Sequence, residues 1–221
     1  MSEKICGTYG LSLQNFKVLQ RLSTPKKIQD FLDTLPLNWE HGNETYMSVE
    51  RTLKAGKAHC LEGALVAALA LWIHGKQPLI LDLKSFTGDD HIVALYKIGG
   101  RWGAISKTNH ATLRFRDPVY LNVRELALSY FHEYIHVKTG EKILESYAVF
   151  DLKFNLKKDK TRQIKDWISG IDDLFWLADT IDTSPHHKMY PTKNRKHLRR
   201  ADAMELKAGN ITEWKGTDKG V

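Results

Sequence analysis

A cysteine is nucleophilic only as its thiolate, and it needs a base beside it. Cys60 heads the run "CLEGALVAALALWI", in which Ala, Leu and Val fill almost every position from Leu61 to Ile73. A run that is apolar nearly all round reads as a buried helix. Cys60 then falls in the first turn, where unpaired N–H groups and the positive end of the helix dipole stabilise a thiolate. Without a base nearby, such a cysteine is plain core packing. His91 opens the run "HIVALYKIGG", just after the loop "TGDD" that carries Asp89 and Asp90. A histidine on a strand next to the helix start can be the base, and a third group must orient its ring. Gly99-Gly100 turns the chain back through "RWGAISKTNH", which brings Ser106 and Asn109 across a hairpin from His91. Counting inward from the turn pairs His91 with about position 108, so both residues lie within reach. Either can accept a hydrogen bond from the imidazole, and the amide oxygen of Asn109 is the slightly preferred acceptor. Neither supplies the negative charge that would stabilise an imidazolium.

The segments "GKAHCLEGALVAALAL" and "DDHIVALYKIGGRWGAIS" resemble the transglutaminase-like branch of the papain-like cysteine enzymes. That family has a helix headed by the nucleophilic Cys, a His on one strand, and a carboxylate on the next strand after a Trp. The resemblance spans roughly Gly56 to Asn109, about a quarter of the chain. It implies Cys60 as nucleophile, His91 as general base and Trp102 as the strand tryptophan. Where the family has Asp, this chain has Ser106. The run "RWGAISKTNH" and the downstream "FHEY" also resemble uncharacterised bacterial transglutaminase-like proteins. The implied activity is that of an amide or ester hydrolase or acyltransferase, working through a Cys60 thioester on a peptide, amide or ester substrate. A catalytically silent binding module of the same fold is the alternative that Ser106 keeps open.

Another string with chemical content is His132-Glu133-Tyr134-Ile135-His136. On a helix, H-E-x-x-H puts two imidazoles on one face for zinc, with the Glu as base. Helical spacing here places Val123, Leu126, Ala127, Tyr130 and Tyr134 on one apolar stripe, with His132 and His136 nearly opposite, toward solvent. A His six residues further on is absent, because that position is Lys142. A zinc peptidase is therefore the remote alternative, and no metal or cofactor is expected.

The elements that must position these groups follow from period and punctuation. Thr24 or Ser23 can cap a helix with Pro25 at its first position, through "KKIQDFLDTL" to Pro36. "NETYMSVERTLKAG" reads as a helix ended by Gly56. "PLILDLKS", "HIVALYKIGGRWGAISKT", "ATLRFRDPVYL" and "SYAVFDLKFNL" alternate as strands do. "NVRELALSYFHEYIHV" reads as a helix capped by Asn122, and "TRQIKDWISGIDDLFWLADTI" as one amphipathic helix with Trp167, Ile171, Leu174, Phe175, Ala178 and Ile181 inward. The predicted fold is α+β: a Cys-headed buried helix on an antiparallel sheet, a transglutaminase- or papain-like core with flanking helices. The domain is placed at 1–184, its core at about 56–156, with 185–221 as a basic polar tail.

The chain has 221 residues, 42% of them hydrophobic, enough for one sizeable core. Two cysteines, Cys6 and Cys60, make no disulfide framework and suggest a reducing, cytoplasmic setting. No signal core or spanning segment is expected, because the longest apolar run is short and interrupted by Glu62. The net charge of +7 is uneven. Lys188, Lys193, Arg195, Lys196, Arg199 and Arg200 crowd "HHKMYPTKNRKHLRR" with no acid among them. Such a run is ordinarily a solvated face, and nucleic acid or another anionic partner is the less favoured reading.

Overall fold

Six antiparallel strands form one sheet in the computed structural model, which describes residues 7–39, 44–154 and 163–213. Cys6 lies outside the described residues. The strands are β1 (Leu79–Ser85), β2 (His91–Ile98), β3 (Arg101–Ile105), β4 (Arg116–Tyr120), β5 (Leu144–Asp151) and β6 (His187–Lys188), in the order β4-β3-β2-β1-β5-β6. The helices are α1 (Leu13–Arg21), α2 (Pro25–Thr34), α3 (Val49–Ala55), α4 (Cys60–Ile73), α5 (Val123–Phe131), α6 (Ile164–Ser169), α7 (Phe175–Asp182) and α8 (Ala203–Gly209). The protein is thus α+β, and among the described residues no helix is long and apolar enough to cross a membrane.

Local chemistry accounts for most boundaries. Thr24 accepts from Lys27 N ahead of Pro25, and Asn122 accepts from Glu125 N, so each caps a helix start. Gly99 and Gly100 have φ of +56° and +77°, the pair of left-handed residues that a two-residue hairpin turn requires. The turn fixes the β2–β3 register: Ala94 faces Ile105, which brings the start of β2 beside the residues that follow β3.

Helix α4 packs on β2, with Leu65, Leu69 and Ile80 in a core that α1–α3, α6 and α7 complete. Leu126 and Tyr130 of α5 cover the opposite face, against Leu83, Val93 and Leu95. A sheet covered on both faces buries consecutive residues. His91–Tyr96 of β2 are all buried, so the expected alternation is absent there.

Several expectations change. The helix before Gly56 starts only at Val49, after irregular backbone over 44–48 that ends in the extended N-cap Ser48. Of "ATLRFRDPVYL", only Arg116–Tyr120 is strand, and it lies at the sheet edge, where Pro118 is tolerated. The single helix read over 161–181 is two, α6 and α7. Between them Gly170 O accepts from Ser48 Oγ at 2.7 Å, and the Asp173 carboxylate accepts from Tyr46 N at 3.1 Å and Arg51 at 2.9 Å. These bonds to the segment before α3 outweigh helix continuation. Ile171 is consequently 85% exposed and Phe175 half-exposed, while Trp167, Leu174 and Ile181 are buried as read.

Residues beyond Pro185 add β6 to the sheet edge and bury Met189. Their cations find carboxylates on the domain: Arg195 with Glu145 at 3.1 Å and Arg200 with Glu141 at 3.0 Å. Lys142, 7% exposed, reciprocates with Glu205 of α8 at 2.8 Å.

Helix α2 matters most for the site. Its C-terminal carbonyls, Leu32 O and Leu35 O, accept from the buried Nζ of Lys107 at 3.1 and 2.5 Å. Gly63 of α4 makes room for that lysine: a Cβ there would lie 2.4 Å from Lys107 Cβ. Gly63→Ala is therefore expected to destabilise the protein by about 1–3 kcal/mol of overpacking, outweighing the helix-propensity gain. Thermal melts would show it, and a raised Tm would mean that this contact is not tight.

Candidate functional site

The site is built where α4 begins and β2 begins. Cys60 is the first residue of α4, and its neighbour His59 is the N-cap. Cys60 is half-buried, with a free thiol. The imidazoles of His59 and His91 are the groups that act on its sulfur. Burial alone would raise the thiol, but the bonds and charges of His59 and His91 outweigh it and hold Cys60 well below the ordinary thiol range.

His91 is buried, and its Nε2 lies 2.9 Å from Ser106 Oγ. The single proton of that hydroxyl goes to Leu113 O, at 2.6 Å. Ser106 Oγ is thus the acceptor and His91 Nε2 carries a proton. Nδ1 is left as the nitrogen that can exchange a proton with Cys60. Ser106 is itself clamped by α2: Gln29 Nε2 donates to Ser106 O at 2.8 Å, and Ser106 N donates to Gln29 Oε1 at 2.9 Å. Ser106 therefore orients the ring at this nitrogen. Asn109 is buried, and its backbone carbonyl accepts from Glu213 N at 2.9 Å. Trp102 lies on β3 opposite Lys97, whose Nζ sits 5.0 Å from its ring centroid.

His59 received no role from spacing, and it is the principal addition. Its Nε2 donates to Thr45 O at 2.7 Å and lies 3.5 Å from Glu62 Oε1. Burial opposes charge on this ring, but Cys60, Glu62 and Thr45 together raise its pKa to about 9. Glu62 is 0% exposed. Its carboxylate accepts from His59 N at 2.9 Å, Met47 N at 3.0 Å and Asn38 Nδ2 at 3.3 Å. The sequence signal was there: an acid three residues after the N-cap is half of a capping box, and a lone Glu in an apolar run needs a partner.

NMR should find His59 still protonated at pH 8 in the wild type. In Cys60→Ala its titration should move down by at least one unit, because Cys60 is the foremost favourable cause. An unchanged His59 titration would show that the thiolate does not hold the proton there.

The H-E-x-x-H string does not lie on one helix. α5 ends at Phe131, His132 is its C-cap, and Ile135 bridges to Lys142. The register that would stack two imidazoles on one ion is therefore missing. Glu133 accepts from Arg116 Nη2 at 2.5 Å and from Leu113 N at 3.0 Å, which cross-braces the loop holding Ser106 Oγ. His132 is exposed as expected, but His136 is half-buried and lines a cleft of about 460 Å³ with His91, His110 and Tyr134.

Cys60 opens instead onto a second cleft of about 620 Å³ with His59, Tyr46, Phe175 and several carboxylates. Among the described residues the one group spaced to hold a metal ion is Asp82, Asp90 and Asp182, at this cleft. Compared with known proteins, the chain matches no family model and no curated sequence.

Proposed function

We propose that the protein is a cysteine-dependent acyl-group enzyme of the transglutaminase-like class, acting on an amide or ester through a Cys60 thioester. The observation that supports this reading is a thiol at the start of a buried helix, held low by two imidazoles of which one, His91, is oriented by Ser106 at 2.9 Å.

The proton that Cys60 gives up is shared between His59 and His91. His59, held by the Thr45 carbonyl and Glu62, keeps the pair positively charged beside the sulfur. This supplies the electrostatic support that Ser106 lacks. In acylation the thiolate attacks the carbonyl carbon and the C–S bond forms. The imidazole pair returns its proton to the leaving nitrogen or oxygen as that bond breaks. In deacylation water or an amine gives its proton to His91 Nδ1 and attacks the thioester, and the thiolate leaves. The first-turn N–H groups of α4 carry the positive end of its dipole, which favours the oxyanion.

The test is an acyl-enzyme. Incubation with a p-nitrophenyl ester should release nitrophenolate and leave an acyl group on the Cys60 peptide that hydroxylamine removes. His91→Ala should abolish turnover. Ser106, in the place of a carboxylate, favours a second reading, a silent binding module. An intact protein that never acylates Cys60 would establish that reading and end the first.

A further inference from the structure

The cleft beside Cys60 is acidic in a protein whose net charge is +7. Glu44, Asp82, Asp89, Asp90, Asp179 and Asp182 line it, and no Lys or Arg is among its lining residues. Three basic groups reach the set: Lys84 Nζ lies 2.5 Å from Asp182 Oδ1, His186 Nε2 lies 3.0 Å from Asp82 Oδ2, and His59 lines the cleft at its Cys60 end. They leave it short of positive charge. Asp82 is 2% exposed, and its Oδ1 has no hydrogen-bond partner among the described residues. A buried carboxylate oxygen without a donor is costly, and it marks a place where a donor belongs. The facing wall is aromatic: Tyr46 and Phe175 meet edge to face at 5.1 Å, and Phe175 is 49% exposed.

We propose that this cleft takes the cationic side chain, ammonium or guanidinium, of the peptide whose carbonyl Cys60 attacks. The proposal rests on the acyl-enzyme reading for its direction, since the cleft ends at the nucleophile. An organic cation fits the parts. Its N–H groups satisfy the free carboxylate oxygens, and its stem and charge lie on the Tyr46–Phe175 wall. A divalent metal fits less well, because Lys84 and His186 already occupy oxygens of Asp182 and Asp82 that it would need.

Two measurements test it separately from the chemistry. In the first, Cys60 reacts with 2-aminoethyl or 2-sulfonatoethyl methanethiosulfonate, where sulfur attack forms the mixed disulfide and expels methanesulfinate. Normalised to a small free thiol, the cationic reagent should be favoured by about tenfold or more. In Asp179→Asn/Asp182→Asn, two exposed positions, the preference should fall toward one. The basic chain as a whole would favour the anion, so an anion preference overturns the proposal.

In the second, Cys60→Ala protein is titrated calorimetrically with N-acetyl-arginine amide, N-acetyl-lysine amide, N-acetyl-norleucine amide and calcium chloride. Binding of the cationic amides but not of norleucine amide, lost in the double Asn variant, is the expected result. Equal binding of norleucine amide, binding of calcium alone, or no binding overturns it. Because this titration needs no thiol, a Cys60 that proves chemically ordinary sinks the enzyme reading while the cleft is judged on its own.

Discussion

Alkylation of Cys60 by iodoacetamide should climb less steeply with pH across about 5.5–7.5 than that of an ordinary thiol, which speeds up about a hundredfold there as its thiolate fraction rises tenfold per unit. The neutral reagent reads the thiolate alone. Cys60 is held well below the ordinary range by His59 and His91 against the effect of burial, so its thiolate fraction in that window exceeds that of an ordinary thiol. Removing one imidazole, in His59→Ala or His91→Ala, should restore part of the slope, and removing both should restore nearly all of it. Peptide mapping assigns the adducts and separates Cys60 from Cys6. A wild-type rate that climbs tenfold per pH unit would dispose of the activated thiol.

The same pair makes a specific statement about stability. His59 is raised to about 9, so its contribution is complete below its ordinary 6.5 and is lost as pH rises through 9. Cys60 is depressed, so its contribution is present above the ordinary thiol value near 8.5 and is lost as pH falls through its folded value. Between about 6.5 and 8.5 the native pair holds one proton on imidazole, and the unfolded pair holds one on sulfur. The two slopes cancel there, and unfolding free energy should owe no pH dependence to these groups.

Glu62→Ala is expected to be the most damaging substitution at the site. It removes a carboxylate that is 0% exposed and leaves the N–H donors of His59, Met47 and Asn38 facing a cavity. It also strips the His59 ring of its counter-charge at 3.5 Å. Breaking a buried charged network of this kind costs about 3–5 kcal/mol. For a chain of this size that lowers Tm by on the order of 10 °C. Glu62→Gln keeps one acceptor oxygen and should lose distinctly less stability, yet it should still lower the His59 titration. A melt of Glu62→Ala within 2 °C of wild type, at about 1 kcal/mol or less, would mean that Glu62 does not brace the start of α4.

What the sequence determined by itself was local or periodic. Thr24 and Asn122 cap helices through side-chain oxygens that reach only two or three residues along. Gly99-Gly100 sets the hairpin and with it the β2–β3 register, because both need left-handed backbone. The apolar run after Cys60, broken only by Glu62 and Gly63, required a buried helix, and its start required the thiol to meet a helix N-terminus. Tertiary structure decided the rest, because the deciding partners are remote in the chain. Ser106 holds its place through Gln29, 77 residues away, and Glu62 finds Asn38 and Met47, 24 and 15 residues away. The 161–181 helix breaks because Tyr46 and Ser48 offer better partners to Asp173 and Gly170 than helix continuation does. The basic run beyond Pro185 folds back because acids on the domain, Glu141 and Glu145, neutralise Arg200 and Arg195. A buried polar group must find its partner wherever the fold brings one, and neither periodicity nor propensity carries that address.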